Sequence, residues 1–323
     1  MKYRSTYSMN PETPLVLPVL LLAILLAILS LPAQGAAETT DFDWQETFST
    51  PAAAGQALLA ANQANDQEAL VRILGPESQA ILSSGDPAED KASRQSFVAK
   101  YGQMNRWVTM TDGTQILYIG ADNYPFPIPL AKYSDSGWYF DTAAGADEIL
   151  ARRIGRNELL AIDTCLAIAK AEDVYSRGAH DGDSAHEYAA RIISTPGKQD
   201  GLYWAVSGNQ PASPLASLEK IAKDVVSSPN LGVAPVIDGY EFRLLTSQGD
   251  DASGGSMSYM VDGKLTRGFA VIASPVKYGD SGVMTFLVSQ EGVVYQKDLG
   301  DNSSEVATSI TSYDPAEGWT PAE

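Results

Sequence analysis

Residues 146–177 read ADEILARRIGRNELLAIDTCLAIAKAEDVYSR, and the way this stretch folds decides the architecture on either side of it. No proline interrupts it, and its apolar residues recur at the three- and four-residue intervals of an α-helix. Leu159, Ile162, Leu166 and Ala169 fall on one stripe, which Cys165, Ile168 and Tyr175 widen. Gly155 either interrupts this helix or starts a new one. A helix of this length must bury its stripe against another layer, and the flanking sequence offers two.

Upstream lie helices and then strands. TPAAAGQALLAANQAN (50–65) has Ala and Leu at helical spacing behind Thr50 and Pro51, a plausible cap and first-turn residue. In NDQEALVRILGP (65–76), Asn65 and Glu68 have the spacing of a capping box, and Gly75-Pro76 ends the helix. EDKASRQSFVAKYGQM (89–104) predicts a third helix that buries Phe97, Val98 and Tyr101. RWVTMTDGTQILYIG (106–120) then places two extended runs around Asp112-Gly113, a hairpin signal. YPFPIPLAKY (124–133) carries three prolines and belongs on an edge or outside regular pairing. DSGWYFDT (135–142) follows a second turn at Ser136-Gly137.

Downstream, GAHDGDSAHEYAARIISTPGKQDGLYW (178–204) is loop-rich, with a helix expected over SAHEYAARII. NQPASPLASLEKIAKDVVSSPN (209–230) reads as a proline-bounded helix. The rest is strand-rich: GYEFRLLTSQGD, SMSYMVDGK, RGFAVIASPVKYGDSG and VMTFLVSQEGVVYQKDLG, between 239 and 300. SSEVATSITSYDPAEGW (303–319) suits one closing helix.

These elements predict an α+β protein. An α+β domain at 45–145 joins N-terminal helices to a curled antiparallel sheet, with room for a pocket around Trp107, Tyr118 and Trp138. At 146–300 the long helix packs on a C-terminal antiparallel sheet, and 301–323 is a tail. Residues 1–37 read as a signal peptide. Lys2 and Arg4 precede an uncharged run from Leu15 to Leu31, and small residues follow Pro32. The alternative is a retained anchor, although about 17 residues span only roughly 26 Å of a hydrocarbon core of roughly 30 Å. Cleavage would leave a periplasmic or secreted protein with no membrane span.

Composition narrows the function classes. With 22 Lys and Arg against 40 Asp and Glu, the net charge is −18, which repels nucleic acid and anionic head groups. Cys165 is the single cysteine, so no intrachain disulfide is possible and the core must stabilise the chain. The residue is read as a small buried apolar group.

Two stretches invite chemistry. Gly279-Asp280-Ser281-Gly282 has the letters around a serine-protease nucleophile, yet Val283 stands where a glycine would continue that motif. His180 and His186, the only histidines, lack protease-like surroundings. The tetrapeptide is therefore read as the polar link between two strands. In HDGDSAHEY, Asp181, Asp183 and Glu187 are weak metal candidates, because the spacing fits neither a calcium loop nor a zinc helix. A solvated acidic turn is the default there. No phosphate loop, dinucleotide fingerprint or cysteine knuckle is present. No catalytic residue and no cofactor are predicted.

Six stretches carry a family resemblance: FSTPAAAGQALLAANQANDQEALVRILGP, SSGDPAEDKASRQSFVAKY, GADNYPFPIPLAK, GWYFDTAAGADEILARRIGRNELLAI, YAARIISTPGKQDGLYW and YGDSGVMTFLVSQEGVVYQKDLG. Together they resemble the bacterial domain-of-unknown-function 2950 family over about residues 45–318. The resemblance implies no activity and no site residues. Element order over about 45–142 also resembles the nuclear-transport-factor-two-like fold, whose enzymes carry an acid–base pair that is not found here. RNELLAIDTCLAIAKAEDVYS with the closing strands resembles type IV pilins, which implies that Phe286 and Val294 pack on the helix and that Gly279 and Gly282 shape a turn. No prepilin-cleavage sequence is present, so an assembled fibre subunit is not expected. The role expected is a non-catalytic binding or scaffolding protein for an unknown envelope protein or small ligand. The alternative is a periplasmic hydrolase using carboxylates in the N-terminal pocket.

Overall fold

In the N-terminal helical layer, local capping sets the boundaries of the first two helices. The structure, a computed structural model, describes residues 45–83, 87–134, 137–180, 186–206, 211–216, 234–316 and 318–322. The signal-peptide reading lies outside these residues, as does most of the helix expected at 209–230. Helix α1 (Pro51–Ala64) starts where Thr50 Oγ1 accepts the Ala53 N–H at 3.1 Å. It ends at Asn65, which adopts a left-handed conformation (φ 52°). Asn65 is thus a C-cap, and the expected capping box is not formed. Asp66 caps α2 (Gln67–Leu74) instead, accepting the Ala69 N–H at 2.9 Å. Asn tolerates the left-handed region better than most residues, so it serves the end of one helix and leaves the next start to Asp66. A 3-10 turn (Pro76–Ser78), α3 (Gln79–Leu82) and α4 (Pro87–Gln103) complete the layer.

The first sheet runs β1-β2-β4-β5, with β3 (Tyr124–Pro125) hydrogen-bonded beside β2. β1 (Asn105–Thr109) and β2 (Gln115–Ile119) form the expected hairpin around Asp112-Gly113, with Trp107 opposite Leu117. β4 (Leu130–Ser134) pairs with β5 (Gly137–Phe140). Phe48, Leu58, Leu70, Ile73, Leu74, Ile128, Leu130 and Phe140 form the core between helices and sheet.

From Asp141, whose carboxylate accepts the Ala144 N–H at 3.0 Å, α5 (Thr142–Ser176) runs without a break through Gly155 and across the boundary set at 145/146. Near its start Gly145 is required, because a Cβ there would lie 2.6–3.0 Å from Ile128. The buried face differs from the predicted stripe. It is Asn157, Ala161, Thr164, Cys165, Ile168, Ala169, Ala171, Glu172 and Tyr175, while Leu159 and Leu166 are 62% and 41% exposed. Small side chains let the helix approach its neighbours closely, and two of the polar ones are held by specific hydrogen bonds, so size and polarity mislead here.

α5 packs on the second sheet, ordered β15-β14-β13-β12-β7-β6 and antiparallel throughout. Its strands are β6 (Val236–Ile237), β7 (Tyr240–Leu245), β12 (Ala270–Pro275), β13 (Met284–Ser289), β14 (Val294–Asp298) and β15 (Thr320–Pro321). β12 is buried at every position because both faces of the sheet are covered. Val271, Ala273, Phe286, Val288 and Val294 share a core with Cys165 and Ile168 of α5. Ala270, Ile272 and Leu287 face a second core with Tyr259, Leu265, Ala307 and Tyr313. Small ladders β8–β9 (Ser247–Gln248, Met257–Ser258) and β10–β11 (Met260–Val261, Lys264–Leu265) cover that far side, with the short helix α6 (Ser303–Ser309). The tail therefore joins the fold through α6 and β15.

The expected helix at SAHEYAARII is not formed over its described part. The Tyr188 N–H donates to the Leu265 carbonyl at 2.7 Å, and Ile193 bridges Tyr203. The apolar residues of 188–193 are satisfied by lying in extended form against β11 and the 202–204 segment, which tertiary packing favours over local helix propensity. The α+β class is thus established, and Asp43–Glu323 form one compact unit.

Candidate functional site

The helical layer does not close over its own core. α1, α2, α3, α4 and the first turns of α5 surround a cleft of about 590 Å3, a size that suits a small ligand. Leu58 of α1, with Leu70 and Leu74 of α2, forms buried parts of its wall. Ala80, Ile81 and Leu82 of α3, Phe97 of α4, Phe126, and Ala146, Ile149 and Leu150 of α5 add further apolar surface. α3 is only one turn long, so it covers little of the space between α2 and α4. Thr142 ties the base of α5 to this layer by donating its hydroxyl to the Leu74 carbonyl.

Polar groups are few and sit on α1, α3, α4 and α5: Asn62, Ser83, Asp90, Ser93, Arg94 and Arg153. The two arginines differ. Arg153 is ion-paired with Asp280. Arg94 forms no ion pair among the described residues. Its Nη1 donates to Asn65 Oδ1 at 2.7 Å and its Nη2 to the Leu82 carbonyl at 3.5 Å. Among the described residues its cation is therefore met by neutral acceptors only. Neither arginine was singled out from the sequence. The available signal was Arg94 three residues before Phe97 on one helix face.

The pocket expected around Trp107, Tyr118 and Trp138 is not formed. Trp107 is opposite Leu117 in the β1–β2 ladder, so neighbouring Tyr118 points to the other face, where Arg106 lies over its ring at 4.5 Å. Trp138 instead lines a second groove of about 550 Å3 with Thr109, Asp112, Thr114, Gln115 and Lys132. Asp112 there accepts the Thr114 N–H and hydroxyl at 2.9 and 2.7 Å, which hold its carboxyl below the usual range. Among the described residues Asp90 in the cleft and Asp112 in the groove are each the one carboxylate lining their site, so these residues bring no pair of carboxylates together for acid–base hydrolysis.

The tetrapeptide at 279–282 is a docking point for α5. Ser281 Oγ accepts the Lys277 N–H at 3.0 Å and donates to the Lys277 carbonyl at 3.1 Å, closing its own turn. Asn157 Nδ2 donates to the Ser281 carbonyl at 2.9 Å. Glu158 Oε1 accepts the N–H groups of Val283 and Met284 at 2.9 and 3.0 Å. A Cβ at Gly282 would collide with the ring and hydroxyl of Tyr240. No histidine takes part in these contacts. His180 stacks on Tyr175 with centroids 4.0 Å apart, and its Nε2 lies 3.1 Å from the Tyr175 carbonyl.

Asp181 and Asp183 lie outside the described residues. Glu187 is buried and both of its oxygens meet Lys264 Nζ, at 2.7 and 2.9 Å, so its charge is already matched. No group of three or more potential metal-ligating side chains occurs among the described residues. Burial pushes the Cys165 thiol up, which disfavours the reactive thiolate.

A family model described as a protein of unknown function (DUF2950) matches residues 45–322. The chain belongs to this family. The matched range takes in the cleft, α5 and the second sheet, so the family unit is the whole compact body. No curated protein and no solved structure matches the chain. Among the described residues no helix is long and apolar enough to cross a membrane.

Proposed function

We propose that this DUF2950 protein is an exported, non-catalytic binding protein of the cell envelope, and that its ligand occupies the cleft among α1–α5. The observation that carries this reading is a cavity of ligand size, lined mostly by apolar side chains and bordered by a guanidinium that no carboxylate among the described residues neutralises. Ligand sites have that composition: an apolar wall with a few oriented polar groups.

The test uses mature protein beginning near Ala36 and the neutral polarity-sensitive dye N-phenyl-1-naphthylamine. Saturable uptake near one dye per chain is expected, and Ile149→Arg, which projects a charge into the cleft, should abolish it while the melting curve is kept. No saturable uptake, or uptake indifferent to Ile149→Arg, overturns the cleft as the site. Export rests on Lys2, Arg4 and the Leu15–Leu31 run. It predicts a periplasmic or secreted protein whose mass begins near Ala36; a full-length chain in the membrane pellet refutes cleavage. The packing of α5 on an antiparallel sheet supports a pilin-like scaffold that holds the cleft without polymerising. Fibres of purified protein in electron micrographs would refute that role.

A further inference from the structure

Resting on the cleft as the binding site, we infer that its ligand is a single-chain amphiphile bearing one carboxylate, with the carboxylate on Arg94 and the hydrocarbon chain along the wall made by Leu58, Leu74, Ile81 and Phe97. Three features select this chemistry. First, the wall offers apolar surface and so favours a ligand body with no polar groups to desolvate. Second, Arg94 spends one N–H on an amide oxygen and one, at 3.5 Å, on a carbonyl. A guanidinium has five N–H donors in a planar fork, so donors remain for a carboxylate, the acceptor whose geometry that fork matches. Third, a single lining cation lacks a carboxylate partner among the described residues. Arg153 is already neutralised by Asp280, Asp90 lines the same cleft, and the chain as a whole carries −18. A monoanion is matched by Arg94 alone. A phosphate monoester, with nearly two charges, would leave one unmatched beside Asp90.

The experiment compares four ligands of one chain length by isothermal titration calorimetry on the mature protein: dodecanoate, dodecyl phosphate, dodecanol and dodecylammonium. Dodecanoate should bind about 10-fold or more tighter than dodecanol, the scale of one charge-assisted hydrogen-bonded pair. Dodecyl phosphate should bind more weakly than dodecanoate, and dodecylammonium weakest. Arg94→Gln should erase the preference for dodecanoate over dodecanol, and Arg94→Lys should restore part of it. The wild-type series stands without any variant, so a poorly folding Arg94→Gln does not blunt the test. Equal affinities for dodecanoate and dodecanol, tighter binding of dodecyl phosphate or dodecylammonium, or a preference that survives in folded Arg94→Gln, overturns the inference with the cleft intact. Binding of none of the four, together with failed dye uptake, overturns the cleft reading itself.

Discussion

Glu172 is the most exposed to disproof of all the buried groups. It lies on the buried face of α5 and is fully buried. Oε2 accepts the Ala189 N–H at 2.8 Å, while Oε1 has no hydrogen-bond partner among the described residues. Asp173 and Glu172 both act on Tyr188 as negative charges, and among the described residues no cation compensates an ionised Glu172. Burial accordingly pushes its carboxyl up from 4.5 to about 8, the Ala189 N–H opposing in part. The folded state thus favours the protonated acid. The resulting stability is fully present below pH 4.5 and is lost as pH rises through about 8. At about 1.4 kcal/mol per pKa unit, the interval is worth about 5 kcal/mol.

Glu172→Gln removes the charge and keeps the shape and the acceptor for Ala189. Near pH 5 the variant and the parent should have similar stability. Above pH 8 the variant should be more stable by up to about 4 kcal/mol, or roughly 8 °C or more in melting temperature. Urea unfolding of both proteins from pH 5 to 9 reads the difference directly, and other titrating groups cancel in the comparison. A parent–variant difference that stays constant over this range would refute the reasoning, because it would show that Glu172 ionises without penalty.

Three further expectations concern the α5–loop contact and the core. Gly282→Ala drives a methyl group into Tyr240 and should cost about 1–3 kcal/mol in chemical denaturation, as overpacking does; an unchanged midpoint would mean that the loop moves freely. Glu158→Ala leaves the Val283 and Met284 N–H groups without their acceptor and should cost about 1–3 kcal/mol. Faster amide hydrogen exchange should be confined to the 277–284 loop and its neighbours, and exchange that is unaltered there would show that α5 does not hold it. Cys165 is buried, so iodoacetamide should modify it only at the rate of unfolding; rapid labelling in native buffer would place the thiol at the surface.

The order of elements was legible in the sequence because periodicity and punctuation report on backbone geometry. Thr50-Pro51, Gly75-Pro76 and Asp112-Gly113 each fix a local conformation, and each lies where it was expected. Residue-level burial was legible only where apolar size and burial coincide. On α5 they do not, since Leu159 and Leu166 are exposed while Asn157, Thr164 and Glu172 are buried. A polar side chain is tolerated inside when a distant partner meets it, and no periodicity in 146–177 reveals that Asn157 will meet Ser281 or that Glu172 will meet Ala189. The same limit hides the cleft. It is a space left between α2, α3 and α4, beside an α3 of only one turn, and its polar residues are ordinary surface types until those helices converge. The GDSG motif shows the converse. Four residues that carry strong meaning as text resolve into a turn gripped by Asn157 and Glu158, because chemistry at Ser281 would need a base within hydrogen-bond reach, and its hydroxyl is instead spent on Lys277.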